Sequence, residues 1–167
     1  EEKKAAGIEA ANYDNRIPGV SIHYKDAVEL VTRGAAKACL SVEQETVTRT
    51  SRNVVARIKG TDKAEEILTL TAHYDSVPEG PGAYDNMSGA AIIMELCRYF
   101  KEHRPRRTME FIWFGAEEKG LLGSQNYIKI HENELSAHRF NMNVDLAGQL
   151  VGGTVAGVTG DASVCNM

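Results

Sequence analysis

Strand-like and helix-like patterns alternate along the chain from residue 53 onward. Apolar runs that are typical of buried strands cover residues 66–71, 107–114 and 139–144. Apolar residues recur at the spacing of one helix face over residues 88–103 and 121–135. This order of elements predicts an α/β fold, with a mixed, mostly parallel sheet flanked by helices.

The patterns of two predicted strands indicate where each strand lies in the sheet. Asn53–Lys59 alternates between apolar and polar residues, which predicts a half-buried strand, and we expect it to pair with Glu66–Thr71. The apolar end of Arg107–Phe114 is continuous, which implies cover on both faces. We therefore expect Arg107–Phe114 to lie in the centre of the sheet.

The two predicted helices each carry an apolar stripe that we expect to be buried. Asn86 or Ser88 can cap the first helix, and Pro105 closes it. Its stripe consists of Ala90, Ile93, Met94, Cys97 and Phe100. The stripe of the second helix consists of Leu121, Ile128 and Leu135, one heptad apart.

Residues 1–48 have a different pattern from the rest of the chain. Asp26 can cap a short helix over Ala27–Arg33, which Gly34 ends. Polar residues dominate 43–51 and suggest a connector. The sequence therefore predicts two parts, residues 1–48 and residues 49–167.

Composition and charge are those of an ordinary globular protein. The chain is 43% hydrophobic and 25% charged, and its formal net charge is −4. A negative balance argues against nucleic acid as a partner. No apolar run approaches the roughly 18 residues that a membrane span needs. The three cysteines are widely separated, which predicts neither a disulfide framework nor a thiolate zinc site.

Candidate chemistry lies where the predicted strands end. Each acid alone is typical of a solvated turn, but several at three successive strand ends favour a common site, because sites in open α/β sheets form at the carboxyl ends of strands. A loop rich in Gly and Pro leads to one more acid after the first of these strands. The residues concerned are His73, Asp75, Asp85, Glu117, Glu118 and Asp145.

These residue types point to a divalent metal. Imidazole nitrogens and carboxylate oxygens without a thiolate suit zinc, manganese or cobalt. Strand alternation places His73 and Asp75 on one side, so Asp75 is a plausible orienting partner of the ring. Adjacent carboxylates repel each other, so the pair Glu117-Glu118 in a half-buried turn needs a cation. One of the two can bind the metal while the other remains free as a general base.

The candidate residues lie in four motifs: His73-Tyr74-Asp75-Ser76, the run 82–89 (GAYDNMSG), the run 115–124 (GAEEKGLLGS) and Asn143-Val144-Asp145. These motifs resemble those of the co-catalytic dizinc aminopeptidase family, which includes secreted bacterial leucyl aminopeptidases and glutamate carboxypeptidase II-like metallopeptidases. The similarity in motif, order and approximate spacing covers about residues 50–150. The weaker match at Ile17–Ile22 resembles the tail of the protease-associated insert domain of that family.

The resemblance implies a zinc exopeptidase-like fold and a role for each site residue. Asp85 would bridge two zinc ions, His73 and Asp145 would complete one of them, and Glu118 would bind the other. Glu117 would be the general base that activates a water held between the ions, and Asp75 would support His73. The peptide bond between Asp85 and Asn86 is expected to be cis.

One departure from the family pattern limits this expectation. The family has a final His ligand downstream of the Asp145 position, whereas His138 is the last histidine here. We therefore expect a chain truncated at both ends, which starts within the insert domain and stops within the peptidase domain. Such a chain should hold at most one metal well and be inactive alone.

Two alternatives remain at this point. The fold could serve as a non-catalytic binding scaffold, although the upstream ligands and the base are all present. It could also support glutaminyl cyclase-type chemistry with a single zinc. The resemblance further implies a peptide substrate and a secreted or periplasmic location.

Overall fold

The computed structural model describes residues 22–37, 39, 41, 45, 47–149, 153, 155 and 157. The chain divides into two compact units, Glu1–Arg49 and Thr50–Met167. The resemblance of Ile17–Ile22 to an insert domain falls almost wholly on positions outside the described residues. The glycine-rich, alternating pattern of residues 150–158 predicts a further strand, and most of these positions also lie outside the described residues. Both stay predictions.

The first unit contains one described helix, α1, over Tyr24–Thr32. It begins before the expected start, so Asp26 lies in its first turn rather than at its cap. The backbone at Gly34 has a φ of 65°, in the left-handed region that glycine tolerates, and the helix ends just before it.

The second unit is built on a four-stranded sheet with the order β1-β3-β2-β4. Strand β2 is parallel to both β3 and β4, and β1 is antiparallel to β3. The expected α/β fold with a mixed, mostly parallel sheet is therefore confirmed. The strands are β1 (Val54–Ile58), β2 (Lys63–His73), β3 (Arg107–Phe114) and β4 (His138–Asn143).

The expected pairing of the first two strands is wrong. β1 pairs with β3, with Val54 opposite Trp113 and Ile58 opposite Met109, so β3 separates β1 from β2. Strand β3 is therefore hydrogen-bonded to a neighbour on both edges, and its residues 108–112 are buried. Its predicted central position is confirmed.

Helix α2 (Ser88–Glu102) covers one face of the sheet and forms the core with it. Ala90 and Ile93 are buried as expected, but Met94 is 51% exposed, so its place in the buried stripe was wrong. The aromatic ring of Phe100 reaches Phe111, with centroids 6.5 Å apart. The buried core residues are Leu70, Ala72, Ile93, Met109 and Phe111.

The second predicted helix is shorter than expected. Helix α3 spans Leu122–Ile130, and a 3₁₀ helix follows over Glu132–Ala137. Leu121 and Ile128 are about half exposed, so the heptad stripe does not form a buried face. Tyr127 is the buried residue that faces the sheet instead, and its ring packs edge-on against Phe114.

Candidate metal centre

His73 is the centre of a group of carboxylates at the carboxyl end of β2. Its side chain is only 3% exposed. Its Nδ1 lies 3.0 Å from the carbonyl oxygen of Asp75, which can only accept, so this bond places a proton on Nδ1. Nε2 faces Asp85 Oδ1 at 2.9 Å and Asp145 Oδ1 at 3.5 Å. A protonated ring donates to these carboxylates, whereas the neutral ring leaves its Nε2 lone pair free for a metal ion.

Asp85 reaches His73 from a tight turn over Ala83–Met87 that precedes α2. The peptide bond between Asp85 and Asn86 is cis, as the resemblance implied. The turn opens at Gly82, whose φ of 66° lies in the left-handed region, and it closes through the Met87 N–H on the Gly82 carbonyl. The loop thus returns a carboxylate to the end of β2, as its composition suggested.

Asp145 follows β4 and is held through its neighbour Val144. The Val144 N–H donates to the carbonyl of Thr71 on β2 at 2.8 Å. The buried amide of Asn86 donates to the Val144 carbonyl at 2.9 Å and accepts from the Gly89 N–H at 3.0 Å. The amide of Asn86 therefore connects the backbones that carry Asp85 and Asp145.

Glu117 and Glu118 occupy the turn between β3 and α3. The residue before them, Ala116, has a φ of 57°, which is unfavourable for a residue with a Cβ. The carboxylate of Asp75 accepts the backbone N–H of Glu117 at 3.0 Å and that of Glu118 at 3.2 Å. These bonds stabilise the turn in a conformation that directs Glu117 Oε2 to within 3.9 Å of His73 Nε2.

The ligand atoms form two overlapping sets that suit a metal ion. His73 with Asp85 and Asp145, and His73 with Glu117 and Glu118, each offer three atoms within 4.8 Å of one another. The buried Oε1 of Glu118 has no hydrogen-bond partner among the described residues. A buried carboxylate oxygen without a donor is costly, and a cation would satisfy it. The donor set, one imidazole and several carboxylates, fits zinc.

The crowding of carboxylates shifts two pKa values. Burial raises the pKa of Glu117 above its usual range, with help from the charges of Glu118, Asp145 and Asp75 and against the effect of His73. Burial lowers the pKa of His73, but the nearby carboxylates and the Asp75 carbonyl outweigh it, so the pKa of His73 is raised. Burial is the main cause of the raised pKa of Glu117, whereas the carboxylates are the main cause of the raised pKa of His73. In both groups the negative charge of the metal-free site favours the protonated form.

A cavity of about 380 Å³ adjoins the site. Its wall includes Asp145 and the apolar side chains of Leu146 and Val155. Tyr84 lines another part, and its hydroxyl accepts a hydrogen bond from the side chain of Gln149. Sequence reasoning did not identify Tyr84 or Gln149, because nothing in the local pattern brings these positions together.

The structure thus brings all six residues singled out in the sequence to one sheet edge. Asp85 and Asp145 are partly exposed, with side chains 49% and 36% accessible, so solvent reaches the site. No helix in the described part of the chain combines the length and apolar character that crossing a bilayer requires.

Comparison with known sequences identifies relatives that are named aminopeptidases. The chain is 40% identical over 134 residues to aminopeptidase YwaD of Bacillus subtilis, covering 79% of this chain and 29% of that protein. It is 35% identical over 125 residues to leucine aminopeptidase 2 of Trichophyton equinum, covering 74% of this chain and 25% of the relative.

Solved structures show the same relationship. A zinc aminopeptidase from Bacillus subtilis, BSAP, matches with a TM-score of 0.54 and 42% identity over 57% of this chain and 24% of its own. An aminopeptidase from Aneurinibacillus sp. strain AM-1 matches with a TM-score of 0.61 and 31% identity, over 78% of this chain and 34% of its own.

The chain spans about a quarter to a third of the length of these relatives. The sequence profile described as Peptidase family M28 matches residues 53–165, which include β1 to β4 and every residue of the site. Because this match covers more than half of the chain, the chain belongs to peptidase family M28.

Proposed function

We propose that this site is the catalytic centre of a zinc-dependent exopeptidase of the aminopeptidase type. The observation that carries the proposal is the arrangement around His73, which forms one set of three ligand atoms with Asp85 and Asp145 and a second set with Glu117 and Glu118. The relatives named aminopeptidase and zinc aminopeptidase support the choice of activity and metal.

The residues divide into ligands and a base. His73, Asp85 and Asp145 would hold one zinc ion, Glu118 would serve a second ion, and Asp85 would be shared between them. Glu118 suits a ligand role because no described residue donates a hydrogen bond to its buried Oε1. Zinc bound there would polarise the scissile carbonyl and lower the pKa of water.

Glu117 would act on protons. Its Oε2 lies 3.9 Å from His73 Nε2 and its side chain is 29% exposed, so a water molecule at the site would be within its reach. The carboxylate would take a proton from the attacking water and return it to the leaving amine. The cavity beside Asp145 would receive a side chain of the peptide, with Leu146 and Val155 providing apolar contacts.

Zinc binding and turnover test this proposal separately. We expect the purified chain to retain about one zinc after dialysis and Asp85→Ala to lose it, because a ligand is removed. The matched control is Asp62→Ala, since Asp62 immediately precedes β2 whereas His73 ends it. A chain that retains no zinc, or an Asp85→Ala variant that retains it equally, would contradict the assigned ligands.

The base is tested in a protein that carries these residues together with the further length of its relatives. There we expect Glu117→Gln to keep zinc and to lower the rate of aminoacyl-anilide hydrolysis about 10²- to 10⁴-fold. A near wild-type rate would show that Glu117 is not the base. The inactivity of the 167 residues alone stays a prediction, which the same hydrolysis assay checks. The expectation that they hold at most one metal well is also still a prediction. So is a secreted or periplasmic location.

A further inference from the structure

The contacts of Asp75 differ from those of a residue that serves only to orient an imidazole. The carboxylate oxygens lie 3.0 Å and 3.2 Å from the backbone nitrogens of Glu117 and Glu118. The distance from Oδ1 to His73 Nδ1 is longer, at 3.6 Å. The ring instead bonds the backbone carbonyl of Asp75, at 3.0 Å. The side chain and the main chain of Asp75 therefore hold different parts of the site.

The turn that Asp75 contacts requires an anchor. Ala116 has a left-handed φ of 57°, and successive N–H groups after such a residue form a concave site for an anion. Asn53 holds the turn upstream, where its Oδ1 accepts the Gly115 N–H. The Ala116 carbonyl accepts the Leu122 N–H downstream. Between these two contacts, the carboxylate of Asp75 binds the N–H groups of the glutamate pair itself.

The charge balance at the turn supports the same conclusion. Asp75 adds a negative charge beside Glu117 and Glu118, since its carboxylate oxygens lie 3.0 Å and 3.2 Å from their backbone nitrogens. A further negative charge in such a cluster is unfavourable unless donors compensate it. Two backbone N–H groups provide that compensation, and charge-assisted bonds of this kind are the strong ones.

We propose that Asp75 is a positioning residue for the glutamate pair: its carboxylate fixes the backbone of Glu117 and Glu118, and so the direction of both side chains, independently of the His73 ring. The value of this role for catalysis rests on the proposed function, whereas the structural role does not. Asp75 would then couple the end of β2, where His73 lies, to the end of β3.

The test uses Asp75→Asn in the metal-free 167-residue chain, with Asp62→Asn as the matched control. An asparagine keeps the shape but has one acceptor oxygen and opposes the second N–H with its own donors. We expect the amide protons of Glu117 and Glu118 to exchange about tenfold faster or more in Asp75→Asn, measured by NMR. The amide of Val144, which is bonded to Thr71, should be unchanged.

Repeating the comparison in a His73→Ala background separates the two possible routes. If the carboxylate acts on the turn directly, Asp75→Asn accelerates exchange equally with and without the ring. An effect that disappears when the ring is absent, or no effect in either background, would overturn the proposal. If Asp75→Asn does not fold, scalar couplings across the two N–H···O bonds in the wild-type chain decide, and their absence would overturn the proposal.

Zinc titration of the same variants distinguishes this inference from the proposed function. We expect Asp75→Asn to weaken zinc binding about 10- to 100-fold, as is typical of residues that orient ligands. A wild-type chain that binds no zinc, but shows the exchange effect, would refute the metal centre and still support Asp75 as the anchor of the turn.

Discussion

At the scale of single residues, Glu110 is a carboxylate outside the metal centre that is stable in the core only because it has polar partners. Its side chain is fully buried in the middle of β3. Arg57 on β1 forms an ion pair with it, and the hydroxyl of Tyr127 donates to its Oε1. A buried charge is tolerated only when its partners satisfy it. The face of the sheet under α3 thus depends on a small polar cluster rather than on an apolar stripe.

Removing the Tyr127 hydroxyl should therefore destabilise the chain. We expect Tyr127→Phe to lower the free energy of unfolding by about 1–3 kcal/mol, because a buried carboxylate oxygen loses its donor. Burial and Glu110 raise the pKa of Tyr127, so the hydroxyl remains a donor throughout the neutral range. Urea unfolding measures the change, and Tyr99→Phe on the exposed side of α2 is the control. Equal effects of both substitutions would contradict the role of this contact.

At the scale of elements, the start of α2 packs directly on the chain that follows β4. Gly89 lies so close to Val144 that a Cβ added at Gly89 would collide with the Val144 carbonyl oxygen and with the side chain of Asn86. This close approach allows the Asn86 amide to bridge the two backbones. The relative position of Asp85 and Asp145 depends on this junction between a helix and a strand.

A methyl group at Gly89 should push the start of α2 away from Val144. We expect Gly89→Ala to destabilise the fold by about 1–3 kcal/mol and to weaken zinc binding, because the Val144 carbonyl is part of the backbone and the Asn86 side chain is held by two hydrogen bonds. Gly80→Ala is the matched control, since a Cβ there meets Val77 at an ordinary 3.8 Å. Thermal unfolding and zinc titration give the two readouts. Unchanged zinc affinity in Gly89→Ala would show that the junction does not set the distance between the ligands.

The elements also show how far sequence patterns reach. The extent of Arg107–Phe114 was predicted correctly, because a continuous apolar run bounded by polar residues defines a buried strand locally. The partner of β1 was not, because pairing depends on contacts between distant residues. The helix expected to run to Leu135 ends at Ile130, where the chain tightens into a 3₁₀ helix that the apolar spacing does not reveal.

For the site as well, the sequence predicted the local features but not the contacts between distant residues. Its acidic residues and His73 could be chosen from the sequence, because each follows a recognisable strand and such ends meet at one edge of a sheet. The bonds from Asp75 to the glutamate pair, and from Asn86 to Val144, could not be predicted, because they connect positions 42 to 58 residues apart. Composition and spacing contain no signal for such contacts.

At the scale of the whole molecule, the stability of the metal-free chain should depend on pH through the site. The pKa of His73 is raised in the folded chain, so the folded state binds its proton more tightly than the unfolded state does. The stabilisation is fully present below the unfolded value of about 6.5 and is lost as pH rises through the folded value. The raised pKa of Glu117 acts in the same direction at more acidic pH.

We therefore expect the metal-free chain to be less stable at about pH 8 than at about pH 6, and the difference to shrink in His73→Gln. Urea unfolding at the two pH values measures this. Zinc should reverse the trend, because it binds the neutral ring and its stabilisation grows as the proton is lost. A metal-free wild type that gains stability with pH relative to His73→Gln would contradict the assignment.

The place of β2 between β3 and β4 has a consequence for the order of folding and metal uptake. The histidine ends the middle strand, and the carboxylates come from the loop after it and from the ends of its two parallel neighbours. Parallel pairing joins distant stretches of chain and forms slowly. The set with Glu117 and Glu118 needs the pairing of β2 with β3, and the set with Asp85 and Asp145 needs the pairing of β2 with β4. Zinc capture by the complete site would therefore follow both pairings. The rate of metal uptake by a refolding chain would then time the completion of the sheet.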